Sequence, residues 1–546
     1  MLGSRSWVNV PITSSTLTEE ISRANKFHHA TKIIIPSCIT TINELTFSNC
    51  EFLTEVQIPD SVTNIGDSSF VDCRALTDIY IPDSVVYIGH NAFDRCTALT
   101  KVVISNNVNS IYNWTFSCCR SLVEVNIPNN IINIGMYAFY ECSSLSKIII
   151  PSRVTSISHC AFQGCRALNE IIIPNIKTIQ ENAFNGCSAL TEVVIPNSVT
   201  HIICGAFKNC SALIKIDIPD TVTSIDDGAF ENCSALTEVV IPNSVISIGD
   251  CAFFKCSSLK KVVILNSVTS IGECAFAECS SLVELSISNN VTSIKFSTFL
   301  QCSSLVRVHI PESVTSIGFN AFSLCSSLIE VTISNSVTSI NRCAFYRCSS
   351  LKKVDIPNSV TSIGDSAFTG CSSLTEVVIP NSVTFIGDFA FRTCAALTVI
   401  SIPDNINNLK LYRIFNCVFL RAVIISSPGE SNLNRTAILQ QMLHLCTRLS
   451  VLVVPINVLP LYLDIVNKSN PHCRVIGDSA VARSLVKKTN YWNIQETLVC
   501  NRDEIQWLYT CLLCFNRFFL MSRTPLPMEM IFAILQTILW SDMNCK

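Results

Sequence analysis

Seventeen cysteines recur between positions 50 and 417, each 23 residues from the last except Cys165 and Cys187, which are 22 apart. A period of this length commits a chain to stacking. One unit cannot bury its own apolar edge, whereas successive copies cover one another and leave only two ends open. Most of the chain is therefore architecture, and an architecture does not name a target.

The unit reads most cleanly after Cys371. Residues 374–379 set Val377 and Ile379 two apart and end at Pro380, which reads as a short strand closed by a residue with no N–H for the ladder. Asn381 and Ser382 supply turn chemistry, residues 383–386 form a second, shorter extended piece, and Gly387 permits a sharp bend. Residues 390–394 are expected to form a single helical or 3₁₀ turn that returns the chain to the next strand. Stacked strands would run parallel ~4.8 Å apart, giving an elongated curved rod ~80 Å long. Phenylalanine stands three residues before the cysteine in sixteen coils, from Phe47 to Phe391, and Ile414 replaces it in the last. Each buried ring contributes roughly 1.5–3 kcal/mol, so this spine is the expected main source of stability. The 22-residue coil shortens the turn after Pro174, where a local dent and no break is expected.

The phrases "IPNSVTSIG", seen whole or in part at residues 195–200, 241–249 and 356–364, and "AFxxCSSL" resemble the BspA-like leucine-rich repeats across residues 27–426. The resemblance implies a repeat solenoid: a right-handed, β-rich coil with a parallel concave sheet, short second strands and helical turns. It also implies a role in protein–protein contact, and, because the family includes microbial surface proteins, a cell-surface or secreted adhesin as an alternative.

Thirty cysteines suggest a disulfide framework, but the ladder argues against one. Seventeen is odd, and neighbouring Cβ atoms one rung apart (~4.8 Å) exceed the ~3.5–4.5 Å a disulfide prefers. Reduced thiols acting as small buried hydrophobes are expected. The net charge of −3 argues against a nucleic-acid partner. The first residues lack the apolar stretch of a secretory signal. The apolar run at 507–521 contains Asn516 and Arg517 and falls short of the ~20 residues a spanning helix needs. Cytoplasmic or nuclear residence is the resulting expectation, with a surface or secreted location as the alternative.

Counting five from each ladder cysteine gives an outward column: Glu55, Asp78, Lys101, Glu124, Lys147, Glu170, Glu192, Lys215, Glu238, Lys261, Glu284, Arg307, Glu330, Lys353 and Glu376. Its alternating signs predict cross-strand pairs, each contributing a few tenths of a kcal/mol. From Lys101 onward the one lapse is Glu170 followed by Glu192, beside consecutive apolar residues in the column two further on: Ile149, Ile172 and Val194. These five residues, next to the short coil, are the candidate protein-binding residues.

No catalytic, cofactor-binding or metal-binding residue is nominated, and the chain reads as non-enzymatic. The histidines are scattered, Cys511 and Cys514 have redox-like spacing but sit in an apolar helix, and His444, Cys446, His472 and Cys473 match no zinc pattern. Four regions are expected: an extension or cap over 1–26, the solenoid over 27–426, a capping region over 427–490 with a helix at 436–445 and a strand-like run at 449–454, and a helical tail over 491–546. In that tail, Leu526, Pro527, Glu529 and Ile531 resemble the opening of an F-box. That likeness implies docking to a ubiquitin-ligase adaptor, with Pro527 in the first helical turn and Glu529 at its positive end. The partner expected of the solenoid is a protein of unknown identity.

Overall fold

Each coil holds two strands of unequal length, and the sequence pattern sets both. In Glu238–Val240 the central valine turns inward between two exposed residues, while in the two-residue Ser247–Ile248 only the isoleucine is buried. A side-chain period of two allows one inward residue in each such piece. The proline and turn between them reverse the face without a longer loop. The computed structural model describes residues 8–9, 15–18, 27–403, 420–426, 449–455, 466 and 473–478. The chain divides into two compact units, Met1–Ser479 and Ala480–Lys546, and the coils belong to the first. The expected helices at 436–445 and 491–546, and Ile414 and Cys417, lie outside the described residues.

Successive coils pair in parallel and in register, as Glu238, Val239 and Val240 do with Lys261, Val262 and Val263. The first strands form a 13-stranded sheet from Val8–Asn9 to Glu284–Ser286 and an 8-stranded sheet from Arg307–His309 to Arg474–Asp478. The second sheet runs past the last regular coil, through Ala422–Ser426, Val451–Pro455 and Arg474–Asp478. The strand-like run at 449–454 is thus a rung of the same sheet.

The short second strands form four separate sheets, with breaks after Tyr87–Ile88, Ser156–Ile157 and Ser270–Ile271. Each break precedes an altered turn. The middle one is the 22-residue coil, so the expected dent is a true break in the short ladder. The long sheet crosses it, since Glu170 pairs with both Lys147 and Glu192. In the other two turns serine replaces proline and asparagine replaces the usual serine two residues later. Ser105 and Ser288 then donate to the carbonyls of Val85 and Val268, the role that Ser84 or Ser359 plays in a regular turn.

The return segment differs from the expected helical or 3₁₀ turn. It does contain i→i+3 bonds: in one coil Ala229, Glu231 and Cys233 donate to the carbonyls of Asp226, Gly228 and Phe230. The intervening N–H groups of Gly228, Phe230 and Asn232 instead cross to Asp250, Ala252 and Phe254 of the next coil at 2.7–2.8 Å. The alternation arises in the backbone. The residues one and five before the ladder cysteine have positive φ, as at Gly228 (59°) and Asn232 (61°), in all coils from Leu45 to Thr393. No helix can pass through such an alternation. A non-glycine residue there costs roughly 1–2 kcal/mol, and each cross-coil hydrogen bond returns about 0.5–1.5 kcal/mol. The two roughly cancel, so the conformation holds only where a neighbouring coil accepts the bonds. Gly387 also differs from expectation. Its φ is ordinary, and the lack of a side chain serves close approach, because a Cβ would collide with the backbone of Asp365 and Gly364.

All sixteen phenylalanines of the spine are fully buried, and consecutive rings stack with centroids 4.9–5.8 Å apart. Beside them the ladder cysteines from Cys50 to Cys394 are buried and in no disulfide. They are more than small hydrophobes. From Cys73 to Cys394 each thiol donates to the carbonyl of the phenylalanine in the preceding coil at 3.0–3.3 Å.

Phe230→Ala in the inward column should destabilise the array by about 3–5 kcal/mol, while Glu238→Gln on the outer face costs well under ~1 kcal/mol. Equal shifts in chemical denaturation would contradict the assignment of inward and outward columns. Burial also raises the thiols of Cys210, Cys256, Cys325 and Cys371 from 9.0 to about 12. The unfolded chain therefore ionises first. Stability should be level below about pH 9 and fall as pH rises toward 12, each such thiol removing up to about 1.4 kcal/mol per pH unit. A denaturation midpoint that stays flat between about pH 8 and 11 would contradict the protonated, buried ladder.

Candidate interaction surface

The outer face of the long sheet is built by the two residues that flank each inward one. Glu170–Ile172 and Glu192–Val194 are paired strands, so Glu170 faces Glu192 and Ile172 faces Val194. Ile171 and Val193 between them are buried. Ile149, Ile172 and Val194 are 67%, 66% and 71% exposed. Ile149 stands just beyond Lys147–Ile148, which pairs with the Glu170 strand. The five nominated residues therefore form one contiguous patch on three successive coils. Glu170 and Glu192 make no contact ion pair with any described residue. Single exposed apolar residues recur in the same column at Tyr80, Val240 and Val378. Among the described residues only the central stretch puts three in succession beside paired like charges.

The alternating stripe is less tightly paired than its signs suggest. Cross-strand contact pairs form at Lys32–Glu55 (2.7 Å), Lys261–Glu284 (3.0 Å) and Arg307–Glu330 (3.5 Å). Lys215 and Lys353 turn instead to Asp217 and Asp355 two residues on in their own strands, at 3.1 and 2.8 Å. An aspartate on the same face offers a flexible lysine an equally short reach, so register alone does not dictate the partner.

A second surface escapes a reading confined to the strand columns. Trp114 and Tyr137 occupy the left-handed position five before the ladder cysteine on adjacent coils, and their rings stack at 4.0 Å. Tyr140 packs edge-on against both. Tyr87, His90 and Tyr112 form a second aromatic group nearby in sequence, and Tyr87 donates to Asp67 at 3.0 Å. Burial and that bond raise the Tyr87 phenol to about 12. The signal available in the sequence was a run of aromatic residues, on neighbouring coils, at positions held in most other coils by small or polar residues.

Among the described residues no group of three or more histidine, cysteine or carboxylate side chains is placed to hold a metal ion. Of the rejected zinc set only Cys473 is described, and burial raises its thiol to about 12. His444, Cys446, His472, Cys511, Cys514 and the F-box-like Leu526, Pro527, Glu529 and Ile531 lie outside the described residues. No described helix is long and apolar enough to cross a membrane.

A leucine-rich repeat protein from Bacteroides ovatus shares 27% identity with a TM-score of 0.55, covering 71% of this chain and 92% of its own. A leucine rich cell surface protein from Faecalibacterium prausnitzii shares 28% identity with a TM-score of 0.32, covering 66% of this chain and 79% of its own. No curated protein matches. The pattern of the BspA type leucine rich repeat region (6 copies) fits residues 22–143, 111–237, 223–352 and 338–463. The chain belongs to the BspA-type leucine-rich-repeat family.

Proposed function

We propose that the chain is a non-enzymatic scaffold that binds a protein on the outer face of its long sheet, centred on Ile149, Glu170, Ile172, Glu192 and Val194. The observation that supports this reading is the in-register pairing of two unpartnered glutamates beside two exposed aliphatic side chains. Two parallel carboxylates one rung apart repel each other, and a cation brought by a partner relieves that repulsion. The adjacent aliphatic strip supplies area that leaves water on contact, at roughly 25 cal/mol per Å². The complementary surface therefore carries a lysine or arginine next to apolar residues. A rigid backbone of stacked coils holds these groups in place before binding, which lowers the ordering cost.

Proximity labelling from the full chain in its native cell, compared between wild type and the double variant Ile172→Lys with Val194→Lys, tests the proposal. Both positions are outside the core, so the thermal midpoint should not change. The specific labelled partner should be lost, with affinity for it reduced about tenfold or more. Undiminished labelling and affinity in the variant would rule out this face.

A further inference from the structure

The half-buried cysteines outside the ladder include one adjacent pair. Cys251 and Cys274 both stand five residues before a ladder cysteine, on neighbouring coils, and both are left-handed (φ 54° and 53°). The Cys251 N–H donates to the carbonyl of Glu273 at 2.8 Å, which fixes the two backbones side by side. Elsewhere in this column side chains of adjacent coils lie in contact. Trp114 and Tyr137 stack with ring centroids 4.0 Å apart. Coils one rung apart place the Cα atoms about 4.8 Å from each other, inside the roughly 4.4–6.8 Å that a disulfide spans. The ladder thiols share that spacing but are fixed by packing and by their bonds to phenylalanine carbonyls. Cys251 and Cys274 are partly open to solvent and their side chains lie within hydrogen-bonding reach of each other, so only a small shift separates the one-rung Cβ spacing (~4.8 Å) from the ~3.5–4.5 Å of a disulfide.

We propose that Cys251 and Cys274 form a reversible redox site, a dithiol that a low-molecular-weight disulfide oxidises to an intramolecular bond stapling two coils. One thiolate attacks a sulfur of the small disulfide, breaking its S–S bond and releasing one small thiol, with a mixed disulfide left on the protein. The second cysteine loses its proton and attacks the protein sulfur of that mixed disulfide, forming the cross-coil bond and expelling the second small thiol. The protein loses two electrons and the small disulfide gains them. Burial, then the neighbouring Cys274 and the carboxylates of Glu231 and Asp250, raises the Cys251 thiol to about 11. The Cys251 thiol is accordingly protonated at neutral pH, and closure is slow there.

Two cysteines at the same repeat position serve as internal controls. Cys160 lies between Tyr137 and Asn182, and Cys343 between Asn320 and Ser366, so neither has a cysteine opposite. The full, reduced chain is incubated with excess glutathione disulfide, denatured in iodoacetamide, digested and analysed by mass spectrometry. The expected result is joint loss of the Cys251 and Cys274 thiols into one linked peptide pair, while Cys343 is recovered alkylated or carrying a single glutathione. In Cys274→Ser, Cys251 should behave as Cys343 does. Recovery of Cys251 and Cys274 as free thiols, or each with its own glutathione, would overturn the proposal.

Discussion

One phenylalanine in each coil joins it to both neighbours through backbone, ring and thiol contacts, and the return-segment ladder is built around it. The Phe230 N–H reaches forward to Ala252, while its carbonyl accepts both the Cys233 N–H of its own coil and the Cys256 thiol of the next. Its ring stacks on those of Phe207 and Phe253. The left-handed residues on either side are unfavourable alone and are compensated only by bonds to a neighbour. A coil therefore cannot adopt its native shape before it is stacked, which is the physical source of the array's continuity.

This dependence explains where irregularity is tolerated. The short ladder breaks at three altered turns, yet the phenylalanine stack and the return-segment bonds run through all of them. The coil of residues 280–302 pairs backward through Glu284–Ser286 and forward through Ser293–Ile294, so neither strand ladder alone carries it. The outer faces are then free to vary. An aliphatic strip with paired glutamates, an aromatic cluster and an adjacent dithiol all stand on one unchanged frame, and function on such a frame resides in those departures.

The strands, their closing prolines and the inward columns were legible in the sequence because a side-chain period of two and a fixed coil length leave little choice. The exposure of Ile172 and Val194 followed from the same alternation. The return-segment ladder was not legible. Residues as different as Leu45, Trp114, Lys255 and Glu278 hold its left-handed positions, so no glycine pattern marks them. Their conformation is imposed by neighbours and not by local preference. For the same reason the cysteine column read as a small hydrophobe, since its acceptor lies in another coil. Ion pairing on the stripe was only partly legible because Asp217 and Asp355 compete for their lysines within one strand.

Native-state hydrogen exchange resolved to single amides tests this dependence most directly. If the return segments form a third ladder, the N–H groups of Phe230 and Asn232 should exchange as slowly as that of Val239 in the long sheet, and Phe230→Ala should release them together with their neighbours'. Exchange of Phe230 and Asn232 at the rate of an open turn, with Val239 still protected, would contradict the account.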